Sequence, residues 1–79
     1  MEFDKEKIDE MVLALLYLTS FEEPKGFYRA WKSHDWEVLS RLHEKGFISD
    51  PKSKAKSVTL SEEGFELSKK LFVKYFQVT

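Results

Sequence analysis

The sequence predicts a small α+β domain spanning residues 1–79, and three observations carry that expectation. Apolar residues recur at helical spacing near both ends, in the segments around residues 5–19 and 62–76. A third amphipathic stretch, from His34 to Lys45, stops at a glycine, Gly46. Between that stop and the last helix, Ile48 and the pair Val58 and Leu60 flank a turn around Pro51 to Ser53, the pattern of a β-hairpin. The expected order is helix, short strand or turn, helix, β-hairpin, C-terminal helix.

The first helix has a clear start. Asp4 is a good N-cap, because its carboxylate can accept a backbone N–H of the first turn. Phe3 and Ile8 occupy the two positions of a hydrophobic staple. Ile8, Met11, Val12, Leu15, Leu18 and Thr19 follow the three-and-four spacing of one buried face. Leu13, Leu16 and Tyr17 fall off that stripe. They are therefore expected either under other elements of the same chain or at an interface of a homodimer, the commonest oligomer geometry.

Residues 20–26 read as a loop punctuated by Pro24 and Gly26. Phe27 to Lys32 is rich in aromatics and reads as a short strand or a helical turn. In the next helix Ser33 or Asp35 can serve as N-cap. Trp36, Leu39, Leu42 and His43 share one face, and Glu37, Ser40, Arg41 and Glu44 look outward. Gly46 suits the left-handed position that ends a helix, with Phe47 closing back on Leu42. On the hairpin, Ser57 and Thr59 face away from Val58 and Leu60, while Lys52, Lys54 and Lys56 decorate the tip and second arm. Ser61 caps the last helix ahead of Glu62 and Glu63, which favour the positive end of its dipole. Phe65, Ser68, Leu71, Phe72, Tyr75 and Phe76 form its inner stripe, with Leu67 beside it.

Composition narrows the function classes. Seven Phe, three Tyr and two Trp among 79 residues supply the large pieces a small core needs. That need leads to the expectation that at least one of Trp31 and Trp36 is buried. There is no cysteine, hence no disulfide and no thiolate metal site. The apolar run from Met11 to Leu18 is too short to cross a bilayer, and the acidic lead Glu2, Asp4, Glu6 has the wrong sign for a secretion signal. A cytoplasmic protein without a membrane role is expected.

No Gly-rich phosphate loop, GxSxG or HExxH pattern occurs. His34 and His43 stand nine apart, unlike the i,i+4 pair that grips zinc. The reading is of no catalytic residues, no cofactor and no metal. The formal net charge is −1, yet residues 1–40 carry five Lys/Arg against nine Asp/Glu and residues 41–79 carry eight against five. Such an asymmetry marks either a nucleic-acid surface or two differently solvated faces. Lys52, Lys54 and Lys56 could straddle phosphates and Ser40 and Arg41 could reach base edges of double-stranded DNA. Alternatively the lysines keep a hairpin soluble and discourage edge pairing.

The block Leu39-Ser-Arg-Leu-His-Glu-Lys-Gly-Phe-Ile48, the lysine-bearing hairpin and Thr59-Leu-Ser-Glu-Glu-Gly64 resemble the core of winged-helix regulators. The resemblance implies a recognition helix ending in glycine, a β-wing and a closing helix. It also implies a DNA-binding or regulatory module that pairs through terminal helices. The pattern Arg29-Ala-Trp-Lys32, Asp35-Trp36, Arg41-Leu-His-Glu-Lys-Gly46, Asp50-Pro51, Lys54-Ala-Lys-Ser57 and Glu63-Gly64 is similar to a family of small bacterial proteins of unknown function. The chain departs from the winged-helix pattern in one respect. Only about a dozen residues, partly loop, stand where another full helix belongs, which puts in question the two-helix geometry that presents a recognition helix to the major groove. A protein-interaction adaptor or inhibitor on the same fold is the alternative expectation.

Overall fold

The structure, a computed structural model, describes residues 2–24 and 26–78. Its elements in chain order are α1 (Lys5–Leu18), β1 (Ser20–Glu22), β2 (Tyr28–Trp31), α2 (Trp36–Glu44), β3 (Ser57–Leu60) and α3 (Glu62–Phe76). The strands form one antiparallel sheet in the order β1-β2-β3. This is the α+β class expected, with two differences in the strands. The segment after α1 is not all loop: Ser20, Phe21 and Glu22 pair with Ala30, Arg29 and Tyr28, so the aromatic stretch 28–31 is the central strand. The hairpin after α2 shrinks to a single bridge between Ile48 and Leu60 on one edge of β3, while its other edge carries the full ladder to β2, from Tyr28↔Leu60 to Trp31↔Ser57.

Local chemistry fixes the helix ends. Asp4 accepts from the Lys7 backbone N–H at 3.0 Å, Asp35 from that of Val38 at 3.3 Å, and Ser61 from that of Gly64 at 2.9 Å. At the end of α2 the Phe47 N–H reaches the Leu42 carbonyl and the Gly46 N–H that of His43, both at 3.0 Å. Gly46 holds φ +81°, the left-handed conformation this double bond requires. The same corner anchors α3. Ser61 donates its hydroxyl to the Gly46 carbonyl at 2.7 Å, and its N–H reaches the Phe47 carbonyl at 3.0 Å. Gly64 then packs directly on the Phe47 backbone, where a Cβ would stand 2.9 Å from the Phe47 Cα.

The core lies between the helices and one sheet face. Leu13, Ala14 and Leu16 of α1, Val38, Leu39 and Leu42 of α2, Ile48, Leu71, and Ala30, Val58 and Leu60 of the sheet are all buried. Helix α1 therefore turns the opposite way from the sequence expectation. Leu13 and Leu16, read as interface candidates, are 1 % and 0 % exposed, whereas Leu15 and Leu18 of the supposed inner stripe are 36 % and 63 % exposed. Tyr17, the third interface candidate, is half-buried against Phe65 and Phe72, with ring centroids at 5.6 and 5.4 Å. The expected dimer interface through Leu13, Leu16 and Tyr17 is thus replaced by intramolecular packing.

An ion pair makes this orientation possible. Asp9 lies on the same face as Leu13 and Leu16, four and seven residues on, and is itself buried. Burying a carboxylate is costly unless it is paired and fully hydrogen-bonded. Arg41 Nε donates to both oxygens, at 3.0 and 2.8 Å, and Arg41 Nη2 donates to Oδ1 at 2.7 Å. Lys45 Nζ adds a contact to Oδ2 at 3.2 Å. This clamp joins α1 to α2 and fixes which face of α1 looks inward.

Candidate binding surface

The clamp decides what α2 can offer a ligand. Val38, Leu39 and Leu42 are buried, so the exposed residues of the helix are Trp36, Glu37, His43 and Glu44, with Ser40 half-buried. Arg41 was expected to face outward as a base-reading residue. Instead its guanidinium is committed to Asp9, and Lys45 at the C-cap is committed there too. Arg41, assisted by Lys45, holds the Asp9 carboxyl below the ordinary aspartate range, against the upward push of burial. His43 is tied as well, its Nδ1 lying 3.0 Å from the Ile48 carbonyl. The outward side of α2 therefore presents Glu37 and Glu44 and no free lysine or arginine. Sequence spacing placed Arg41 outward because its partner lies 32 positions away, on another helix.

Lys52, Lys54 and Lys56 are exposed, as expected of the loop between Ile48 and β3. That loop is clasped from below. Lys32 Nζ donates to the Pro51 carbonyl at 2.7 Å and the Ser53 carbonyl at 2.6 Å. Its backbone N–H meets the Lys56 carbonyl at 3.1 Å, and Asp50 accepts the Lys52 N–H at 2.9 Å. The three lysines thus sit on a braced loop, with Lys54 and Lys56 beside Trp31. A shallow pocket of about 410 Å³ is lined by Trp31, Lys32, Lys54 and Lys56 among others.

The surface that sequence reading missed is the outer face of the sheet. Strand alternation puts Ala30, Val58 and Leu60 inward, and Phe21, Arg29, Trp31, Ser57 and Thr59 outward. Arg29 lies flat along the β2–β3 ladder. Its Nε donates to Ser57 Oγ at 2.8 Å, Nη1 to Thr59 Oγ1 at 2.7 Å and Nη2 to the Ser57 carbonyl at 3.1 Å. These bonds fix the guanidinium and still leave two of its five N–H groups unspent. Phe21 and Trp31 pack at 5.6 Å, and Trp31 remains 51 % exposed. Phe27 is 58 % exposed, beside a pocket lined by Glu23, Pro24, Arg29 and Thr59. Trp36 is 50 % exposed as well, so neither tryptophan fills the core, contrary to expectation. The bulk is supplied by leucines and by the Tyr28–Phe65 stack, with centroids at 3.8 Å. The signal for this face was present as the alternation Phe27, Arg29, Trp31, legible only once that segment is known to be a strand with one covered side.

Among the described residues, no group of three or more His, Asp or Glu is placed to hold a metal ion. Nor is any helix long and apolar enough to cross a membrane.

Fold and surface together define a small α+β domain with three helices on one face of a three-stranded antiparallel sheet and an aromatic, arginine-bearing face on the other. The chain belongs to the family described as Domain of unknown function (DUF6429), whose model matches residues 4–78. It is 49 % identical over 76 residues to "Uncharacterized protein y4hR" of Sinorhizobium fredii (strain NBRC 101917 / NGR234), an alignment covering 96 % of this chain and 97 % of the relative. No solved structure matches. The bacterial family of unknown function expected from the Arg29–Gly64 pattern is thereby established.

Proposed function

We propose that this chain is a non-enzymatic, winged-helix-like binding module that docks a protein partner on the outer face of its sheet and does not read DNA with α2. The winged-helix element of the reading rests on order. Helix α2, the Ile48–Leu60 bridge, the lysine loop, β3 and α3 follow one another as recognition helix, wing and closing helix do. Between β2 and α2, however, only residues 32–35 stand where such domains carry a further helix.

The observation that carries the choice of partner is the Asp9 clamp, which commits the Arg41 guanidinium and engages Lys45, the two cations of the α2 region. Carboxylates at Glu37 and Glu44 would then face a phosphate backbone, a repulsive arrangement. The sheet face has the opposite character. Exposed Trp and immobilised Arg side chains are the types that dominate protein-interface energetics. Lys54 and Lys56 beside Trp31 favour a partner segment that sets an apolar side chain next to a carboxylate. A second reading, sequence-indifferent binding to duplex DNA, is favoured by the exposure of Lys52, Lys54 and Lys56.

Affinity capture from nuclease-treated extract, with Trp31→Ala and Phe27→Ala compared against wild type, tests the first reading. Both side chains are already exposed, so folding should survive. Truncating a central aromatic should weaken the complex by about 2 kcal/mol, near 30-fold. Capture unchanged in both variants refutes the sheet-face assignment. Duplex DNA bound at low salt, with a salt slope that flattens in the Lys52→Ala, Lys54→Ala, Lys56→Ala variant, establishes the second reading in its place.

A further inference from the structure

The clamp that turns Leu13 and Leu16 inward also turns a second apolar stripe outward. Ile8, Leu15 and Leu18 are 38 %, 36 % and 63 % exposed, Met11 is half-buried, and Phe3 ahead of the helix is 68 % exposed. Phe3, Ile8, Met11, Val12 and Leu15 line one shallow groove along α1. The largest apolar patch on a small domain's surface is often a functional one. We infer that a second copy of this chain covers it, the two α1 helices packing antiparallel across a two-fold axis.

Spacing argues for self-pairing. The intervals from Ile8 to Met11, to Leu15 and to Leu18 are three, four and three residues, which is the a/d seam of a coiled coil. The order of intervals is the same in both directions. When one copy is reversed, Ile8 therefore falls opposite Leu18 of the other copy and Met11 opposite its Leu15, with no apolar residue facing a charge. A symmetric interface needs this self-complementarity.

Charge selects the antiparallel arrangement. At the N-terminal end the stripe is flanked by Lys5 and Lys7, the latter leaning on the Tyr75 ring at 4.7 Å. Asp4 lines the groove beside Lys7 at that end, while further along the helix Asp9 is clamped and Glu10 accepts from the Tyr75 hydroxyl at 3.0 Å. Parallel pairing would set lysines against lysines and align two helix dipoles. Antiparallel pairing brings Lys5 to the negative end of the other α1, whose last turn carries no basic residue. The interface is separate from the sheet face, so its failure leaves the proposed docking surface untouched.

Absence of cysteine makes the test direct. Light scattering at micromolar concentration should give twice the 9.4 kDa of one chain. The Leu15→Lys, Leu18→Lys variant should give the single-chain mass with an unchanged far-ultraviolet dichroism spectrum. Under mild oxidation, Met11→Cys mixed with Leu15→Cys should form a mixed disulfide dimer, while Leu15→Cys alone forms little. A monomeric wild type overturns the inference, as does a double variant that stays dimeric. Efficient disulfide formation by Leu15→Cys alone overturns the antiparallel arrangement.

Discussion

Truncating the two faces of α1 separately tests the orientation on which the rest of the structure depends. Leu13 and Leu16 are 1 % and 0 % exposed, so Leu→Ala at either site removes about three fully buried carbon groups, roughly 2.4 kcal/mol at ~0.8 kcal/mol each. The cavity left behind adds to this and places the cost within the roughly 2–5 kcal/mol seen for such core changes. Leu18 is 63 % exposed and has about a third of that burial to lose, under roughly 1 kcal/mol. A 79-residue domain has a total stability of about 4–12 kcal/mol, so Leu16→Ala takes away a large fraction of it. At about 4–8 °C per kcal/mol, the core variants should melt at least 10 °C below wild type and Leu18→Ala within a few degrees of it. The assay is thermal denaturation followed by circular dichroism, at one low protein concentration so that association does not contribute. The reverse ranking, with Leu18→Ala the most damaging and Leu13→Ala neutral, would refute the orientation and restore the face that periodicity alone suggests.

Two glycines should fail for different reasons. Gly46→Val forces a β-branched residue to φ +81° with open space around it, costing roughly 1–3 kcal/mol of backbone strain. Gly64→Ala is expected to cost as much or more although alanine is the better helix former, because its Cβ would press into the Phe47 backbone; a melt equal to wild type would show that α3 does not approach so closely. Stability should also fall in acid in two stages. Burial lowers the His34 pKa, so the unfolded chain takes up the proton first and stability drops as pH falls below about 6.5. The Asp9 pKa is lowered by Arg41, so its contribution is complete above about pH 4 and is lost only as pH falls further, through the depressed value. Urea midpoints measured across the acid range should lose the first stage in His34→Gln and the second in Asp9→Asn.

What was legible in the sequence was local. Asp4, Asp35 and Ser61 cap their helices because a cap needs only the next three residues, and the Gly46 stop needs only the turn before it. The segment 28–31 was ambiguous because its strand character comes from β1 and β3, which supply hydrogen bonds from outside it. The orientation of α1 was misread because the helix carries two apolar stripes. The one with the cleaner spacing, Ile8, Met11, Leu15 and Leu18, is the one left outside. Choosing between them requires knowing that an aspartate on the other stripe finds its counter-charges 32 and 36 positions later.

That aspartate connects features that look independent in the sequence. A buried Asp9 needs both Arg41 and Lys45, and meeting that need strips α2 of the cations a DNA-reading helix would use. It also locks α1 with Leu13 and Leu16 inward, and the seam from Ile8 to Leu18 is exposed as a consequence. Nucleic-acid contact through α2 and burial of the Asp9 face of α1 therefore compete for the same guanidinium. Freeing Arg41 for a phosphate would leave a buried carboxylate short of its strongest partner, a penalty much larger than one exposed phosphate contact returns. The balance favours the clamp, and with it a domain on which the sheet face and the α1 seam are left exposed.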